Sequence, residues 1–137
     1  LKNKHKFIRF LITGFPFFWA LLIAFLSLMP ESVAEKWWFD FFIPADKIAH
    51  FIIYFVFTFS IILAINFENL RFSLPLQITA VAVISILYGI LMEILQKTAA
   101  IGRSANLSDV LADSTGVFAG ILLFFVLRKN LLIIKNL

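Results

Sequence analysis

The sequence predicts an all-α integral membrane protein, a four-helix bundle with both termini cytoplasmic. Three observations predict it. Of 137 residues, 62% are hydrophobic and only 15% charged, more apolar surface than a soluble domain of this length can hide. The apolar residues fall into four runs, each near the roughly 20 residues that cross a hydrocarbon core as a helix. The basic residues gather on one side of the alternation. With the N-terminus inside, Lys2, Lys4, Lys6, Arg9, Arg71, Arg128, Lys129 and Lys135 face a single inner acid, Glu68, whereas the outer segments hold Lys36, Lys47, Lys97 and Arg103 among seven acids. Short loops rich in Lys and Arg stay in the cytoplasm.

The first helix is expected over roughly 8–29, with Pro16 in its second turn, where proline is tolerated. LKNKHKFIR ahead of it has the look of a signal-peptide basic region, but the apolar run exceeds the roughly 7–15 residues of such a segment, so the helix is expected to be retained. The second helix is expected over 47–67 and the third over 74–96, opened by Pro75. The fourth, 108–128, is the most polar, with Asp109 and Asp113 near its start. Nothing divides the chain, so one domain, 1–137, is expected.

The stretch ADKIAHFIIYF places Asp46, Lys47 and His50 at the head of an apolar helix. Glu93 and Gln96 close the third helix, Arg103 lies in the loop that follows, and Asp109 and Asp113 begin the fourth. In the expected topology all fall in one layer at the outer leaflet. Spacings of three and four residues put each set on one helix face, and Tyr54, one turn beyond His50, carries that stripe inward. Ionisable groups in a membrane pair with one another or line a cavity. His50, Glu93, Asp109 and Asp113 are therefore the candidates for acid–base chemistry, and Asp46, Lys47, Tyr54, Gln96 and Arg103 the candidates for holding a ligand. Structural roles compete: Asp46 is a favoured helix cap, and Gln96 and Tyr54 suit the orientation of neighbours. Ala112, Gly116 and Gly120 repeat every four residues, a small-residue face for close helix approach against the second or third helix, with Gly89 in a similar position before Glu93. Trp37 and Trp38, in the aromatic loop EKWWFDFFIP, suit an interfacial anchor, a lid over the layer or a docking surface.

DKIAHFIIY, EILQ and GRSANLSDVLADSTGVFAG, taken together, resemble the VanZ-like membrane proteins. The family pattern is Asp-Lys-x-x-His opening one helix, Glu-x-x-Gln closing the next, an Arg-containing loop, and an Asp-x-x-x-Asn-x-x-Gly helix. Order and spacing match from about Ser27 to Gly120; Asp113 stands where the family commonly has Asn. The resemblance implies a multi-pass protein of the bacterial inner membrane that acts in the cell envelope. The founding member is associated with resistance to the glycopeptide teicoplanin. The resemblance implies no particular reaction.

Three functions are open at this stage. One is binding or modification of an anionic or phosphorylated lipid or cell-wall precursor, with Lys47 and Arg103 on phosphate. Another is a non-catalytic accessory subunit, its polar layer structural and its aromatic surfaces meeting other membrane proteins. The third, a transporter or proton relay, calls for charges near the midplane, whereas these lie at one end. No cofactor is expected: there is no cysteine and the spacing matches no metal motif, although carboxylates with a histidine can take a divalent cation. Membrane lipids are the expected partners; the charges are too few and scattered for nucleic acid.

Overall fold

The computed structural model describes residues 2–29, 45–68, 71–99 and 106–135. They form four helices and, among the described residues, no strand: α1 Lys2–Ser27, α2 Ala45–Glu68, α3 Leu74–Thr98 and α4 Leu107–Lys135. Each contains a segment of 22 to 25 residues long and apolar enough to cross a membrane. This is the fold of a multi-pass membrane protein, in which helices satisfy their own backbone groups.

The helices outrun their apolar cores because the flanking lysines and arginines are good helix formers. That moves Pro16. With α1 beginning at Lys2, the proline lies mid-helix and buried rather than in an opening turn. It supplies no N–H to the carbonyl one turn before it. Pro75, by contrast, sits in the first turn of α3, behind Ser73. Asp46 also differs from expectation: it falls inside the first turn of α2 rather than capping it, where a carboxylate still complements the positive end of the helix dipole.

Contacts between side chains fix an up–down–up–down arrangement. Arg9, early in α1, pairs with Glu68 at the end of α2, its Nε 2.9 Å from Glu68 Oε1. Trp19 donates its indole N–H to the Ile53 carbonyl at 2.9 Å, and Tyr88 donates to the Ala20 carbonyl at 2.7 Å, so α1 is tied to both α2 and α3. Such bonds help to join helices where lipid supplies no hydrophobic drive. Two clusters fill the interior: Ile23, Tyr54, Phe57, Met92 and Val117, and below them Ile62, Val81 and Phe124. The outer faces carry large apolar side chains, Phe17 at 76% and Leu21 at 72% exposed, as lipid-facing surfaces do. An apolar cleft of about 360 Å³ opens between α1, α2 and α3 beside Pro16 and Phe57, at the Arg9–Glu68 end.

The closest approach is between α2 and α4, which run parallel. A methyl group built on Gly116 would collide with the Phe51 carbonyl oxygen and lie 3.0 Å from the Phe55 nitrogen; on Gly120 it would lie 2.8 Å from the Phe55 carbonyl oxygen. Of the two partners the sequence left open, α2 is the one the glycine face meets. Along the same helix Phe51, Phe55 and Phe59 stack at successive turns, with centroids 6.2 and 6.5 Å apart.

Gly116→Ala must push two backbones apart, so we expect a loss of about 1–3 kcal/mol, the scale of overpacking. Gly14→Ala has nothing within 4 Å of its added carbon and should leave stability unchanged or slightly raised. Thermal unfolding of both variants in one detergent compares them; equal shifts would contradict the packing described.

Candidate functional site

The parallel register of α2 and α4 aligns their N-terminal ends, and α3 arrives beside them with its C-terminal end. Ionisable residues from all three helices meet there in two tiers. His50 and Glu93 lie five residues in from their helix ends and Asp113 six, a similar depth of about 7.5–9 Å at 1.5 Å per residue. Asp46, Lys47, Gln96 and Asp109 lie nearer the ends and form the rim.

At the rim, Lys47 Nζ bonds Asp109 across the α2–α4 interface and lies 3.0 Å from Asp46 Oδ2. The ammonium group is thus shared between two carboxylates. Its side chain is 22% exposed and that of Asp109 12%, a partly dry setting in which charge pairing counts for more than at an open surface. Gln96, also at the rim, is buried.

One turn deeper, His50 Nδ1 lies 2.9 Å from Asp113 Oδ1. When Nδ1 carries the proton it donates to that oxygen, which fixes the ring and leaves Nε2 for other work. Asp113 is 2% exposed and Glu93 4%. Glu93 Oε2 accepts the Asn106 backbone N–H at 3.1 Å, which joins the end of α3 to the start of α4. Asn106 also caps α4: its side-chain oxygen accepts the Ser108 N–H at 3.1 Å and its carbonyl accepts the Asp109 N–H at 2.9 Å. Sequence reading passed over Asn106, although an Asn directly before a helical run is a cap signal.

Below the second tier lies an apolar floor. Tyr54 is buried, edge-on to Phe57, and its hydroxyl has no hydrogen-bond partner among the described residues. Gly89 makes the space for Asp113: a methyl group there would stand 2.9 Å from Asp113 Oδ2 and 3.4 Å from two Tyr54 ring carbons. Its smallness therefore serves the polar layer, whereas Gly116 and Gly120 serve the helix contact. Thr58 and Ser85 are also fully buried, with hydroxyls unpartnered among the described residues; neither was singled out from the sequence.

Of the residues expected to share a site, the structure brings together Asp46, Lys47, His50, Glu93, Asp109 and Asp113, with Tyr54 beneath and Gln96 beside them. Arg103, Trp37 and Trp38 lie outside the described residues. Chemically the layer offers an oriented imidazole, a second buried carboxylate within reach of it and a shared ammonium group, the kinds of side chain that hold a charged ligand or move a proton.

A family model, VanZ/LLP1, matches residues 3–128. That is nearly the whole chain, which belongs to this family. Comparisons with curated proteins and with solved structures find no match.

Two ion pairs at opposite ends of α2 separate buried from exposed electrostatics. Lys47→Met strips a partly exposed cation from the buried Asp109 carboxylate, and we expect it to cost about 1–2 kcal/mol, between the values for surface and fully buried pairs. Arg9→Met breaks a pair whose side chains are 55% and 36% exposed and should change the unfolding temperature little. The reverse order would contradict the burial assigned to the layer.

Proposed function

We propose that this member of the VanZ/LLP1 family acts in the bacterial inner membrane, where the end layer of the bundle receives the headgroup of a phosphorylated lipid or lipid-linked cell-wall precursor. The observation that carries this reading is the placement of the charges. Ionisable residues from three helices gather at one end, within about two turns of the helix termini, at the depth where headgroups meet the hydrocarbon. Lys47 stays partly exposed at the rim, above an imidazole oriented by Asp113. On this reading Lys47 and Arg103 contact phosphate, and His50 Nε2, with Nδ1 held by Asp113, is the group placed to exchange a proton with the ligand. The positive-inside count supports an outer-leaflet position for this end. On the same reading Trp37 and Trp38 serve as interfacial anchors.

Native mass spectrometry of the protein extracted gently from its own membrane tests the proposal. The expected result is a discrete adduct with the mass of a phospholipid or polyprenyl phosphate, reduced at least tenfold in Arg103→Ala and Lys47→Gln and retained in Glu68→Gln at the far end. A stoichiometric protein companion with no lipid adduct would overturn it and make the chain an accessory subunit of a larger complex.

A further inference from the structure

The second tier has a property that does not depend on a lipid above it. His50, Glu93 and Asp113 each present one ligand atom, and the three atoms lie within 4.8 Å of one another. They come from three helices, so the bundle itself sets their spacing. A divalent ion bound to nitrogen and oxygen at about 2.0–2.2 Å holds its ligand atoms about 3–3.5 Å apart. His50 Nδ1 and Asp113 Oδ1, 2.9 Å apart, are already close to that separation. Glu93 uses Oε2 for the Asn106 N–H and has Oε1 and two side-chain methylenes with which to close the remaining gap. We propose that these three residues bind one divalent cation of the Zn²⁺ or Mn²⁺ type.

Charge supports the assignment. Two carboxylates, 2% and 4% exposed, lie side by side in an apolar bundle. The nearby Lys47 is engaged one turn away with Asp46 and Asp109. Buried charge is costly unless offset; a protonated His50 offsets one carboxylate, and a bound divalent ion would offset both. The donor set selects the metal. Imidazole with two carboxylates and no thiolate suits first-row divalent ions better than the oxygen-only sites of Mg²⁺ and Ca²⁺.

Tyr54 supplies an independent observation. It is 2% exposed, and its hydroxyl has no hydrogen-bond partner among the described residues. Helix side chains lean toward the N-terminal turn, which here is the turn of His50. The Tyr54 Cζ and Asp113 Oδ2 lie 3.4 and 2.9 Å from the same point beside Gly89. The hydroxyl-bearing end of the ring thus borders Asp113 beside Gly89, and an unpaired buried hydroxyl is unfavourable. Three protein ligands leave coordination positions for water, and a metal-bound water is the partner the hydroxyl lacks. Coordination through Nδ1 requires His50 to carry its proton on Nε2 and replaces the hydrogen bond to Asp113 with a shared ion.

Metal binding to the full chain in detergent tests this. Protein stripped with a chelator is dialysed against micromolar Zn²⁺ or Mn²⁺, and bound metal is counted by elemental mass spectrometry. We expect one ion per chain in the wild type and in Glu68→Gln, and at least tenfold weaker binding in Glu93→Gln and Asp113→Asn that remain helical and monodisperse. X-ray absorption on the Zn²⁺-loaded wild type, which needs no variant, should show an N/O shell with imidazole scattering. No ion bound by the wild type, a shell without imidazole, or equal binding in all variants would overturn the proposal. A lipid adduct on a chain that binds no ion would sink the cation site alone; an ion without lipid would sink the headgroup reading alone.

Discussion

Gly116 and Gly120 let the backbones of α2 and α4 touch, and the rest of the molecule is arranged around that contact. Their missing side chains bring α4 against the Phe51 and Phe55 peptide groups. In a membrane, where lipid is as apolar as any side chain, such close packing is a main source of helix association. The contact also fixes register. With Gly116 at Phe51 and Gly120 at Phe55, the turns above must place Asp113 beside His50 and Asp109 beside Lys47, and both pairs are found. A shift of α4 by one turn would break both at once.

The polar layer follows from that register and from topology. An up–down bundle brings the start of α2, the end of α3 and the start of α4 to one side, so short polar clusters in three distant parts of the chain become neighbours. The layer tolerates charge because it lies near the helix ends, where insertion costs less than at the midplane. Its members hold one another: Lys47 spans Asp46 and Asp109, His50 meets Asp113, and Glu93 takes the first N–H of the α4 cap. The opposite end has the exposed Arg9–Glu68 pair beside an apolar cleft. The two ends of one bundle thus differ in polarity, and among the described residues the buried acids lie at only one of them.

Much of this was legible in the sequence. Spans of sufficient length gave the fold class, and spacings of three and four placed each polar set on one face. The grouping of His50, Glu93 and Asp113 followed from helix direction alone. The small-residue repeat announced a close contact but not its partner, because a stripe on one helix carries no information about the helix it meets. The bonds of Trp19 and Tyr88 to backbone carbonyls, the Arg9–Glu68 pair and the buried Thr58 and Ser85 were not legible: single polar residues leave no periodic trace. Pro16 was misplaced because the helix was read from its first apolar residues, while the basic segment before them is helical too. Gly89 looked like a packing glycine; only the position of Asp113 shows that it makes room for a carboxylate.

The α2–α4 register is the claim on which the site depends, and the absence of native cysteine allows it to be read directly. Cysteine pairs would be placed at His50 and Asp113, and as a mismatch one turn out of step at His50 and Val117, in the full chain in native membranes, then oxidised. Disulfides form between residues whose α-carbons lie within about 7 Å. The first pair should cross-link rapidly within one molecule and the second not at all. Cross-linking of the second pair in preference to the first would place α4 a turn away from where its glycines hold it, and would dissolve the site.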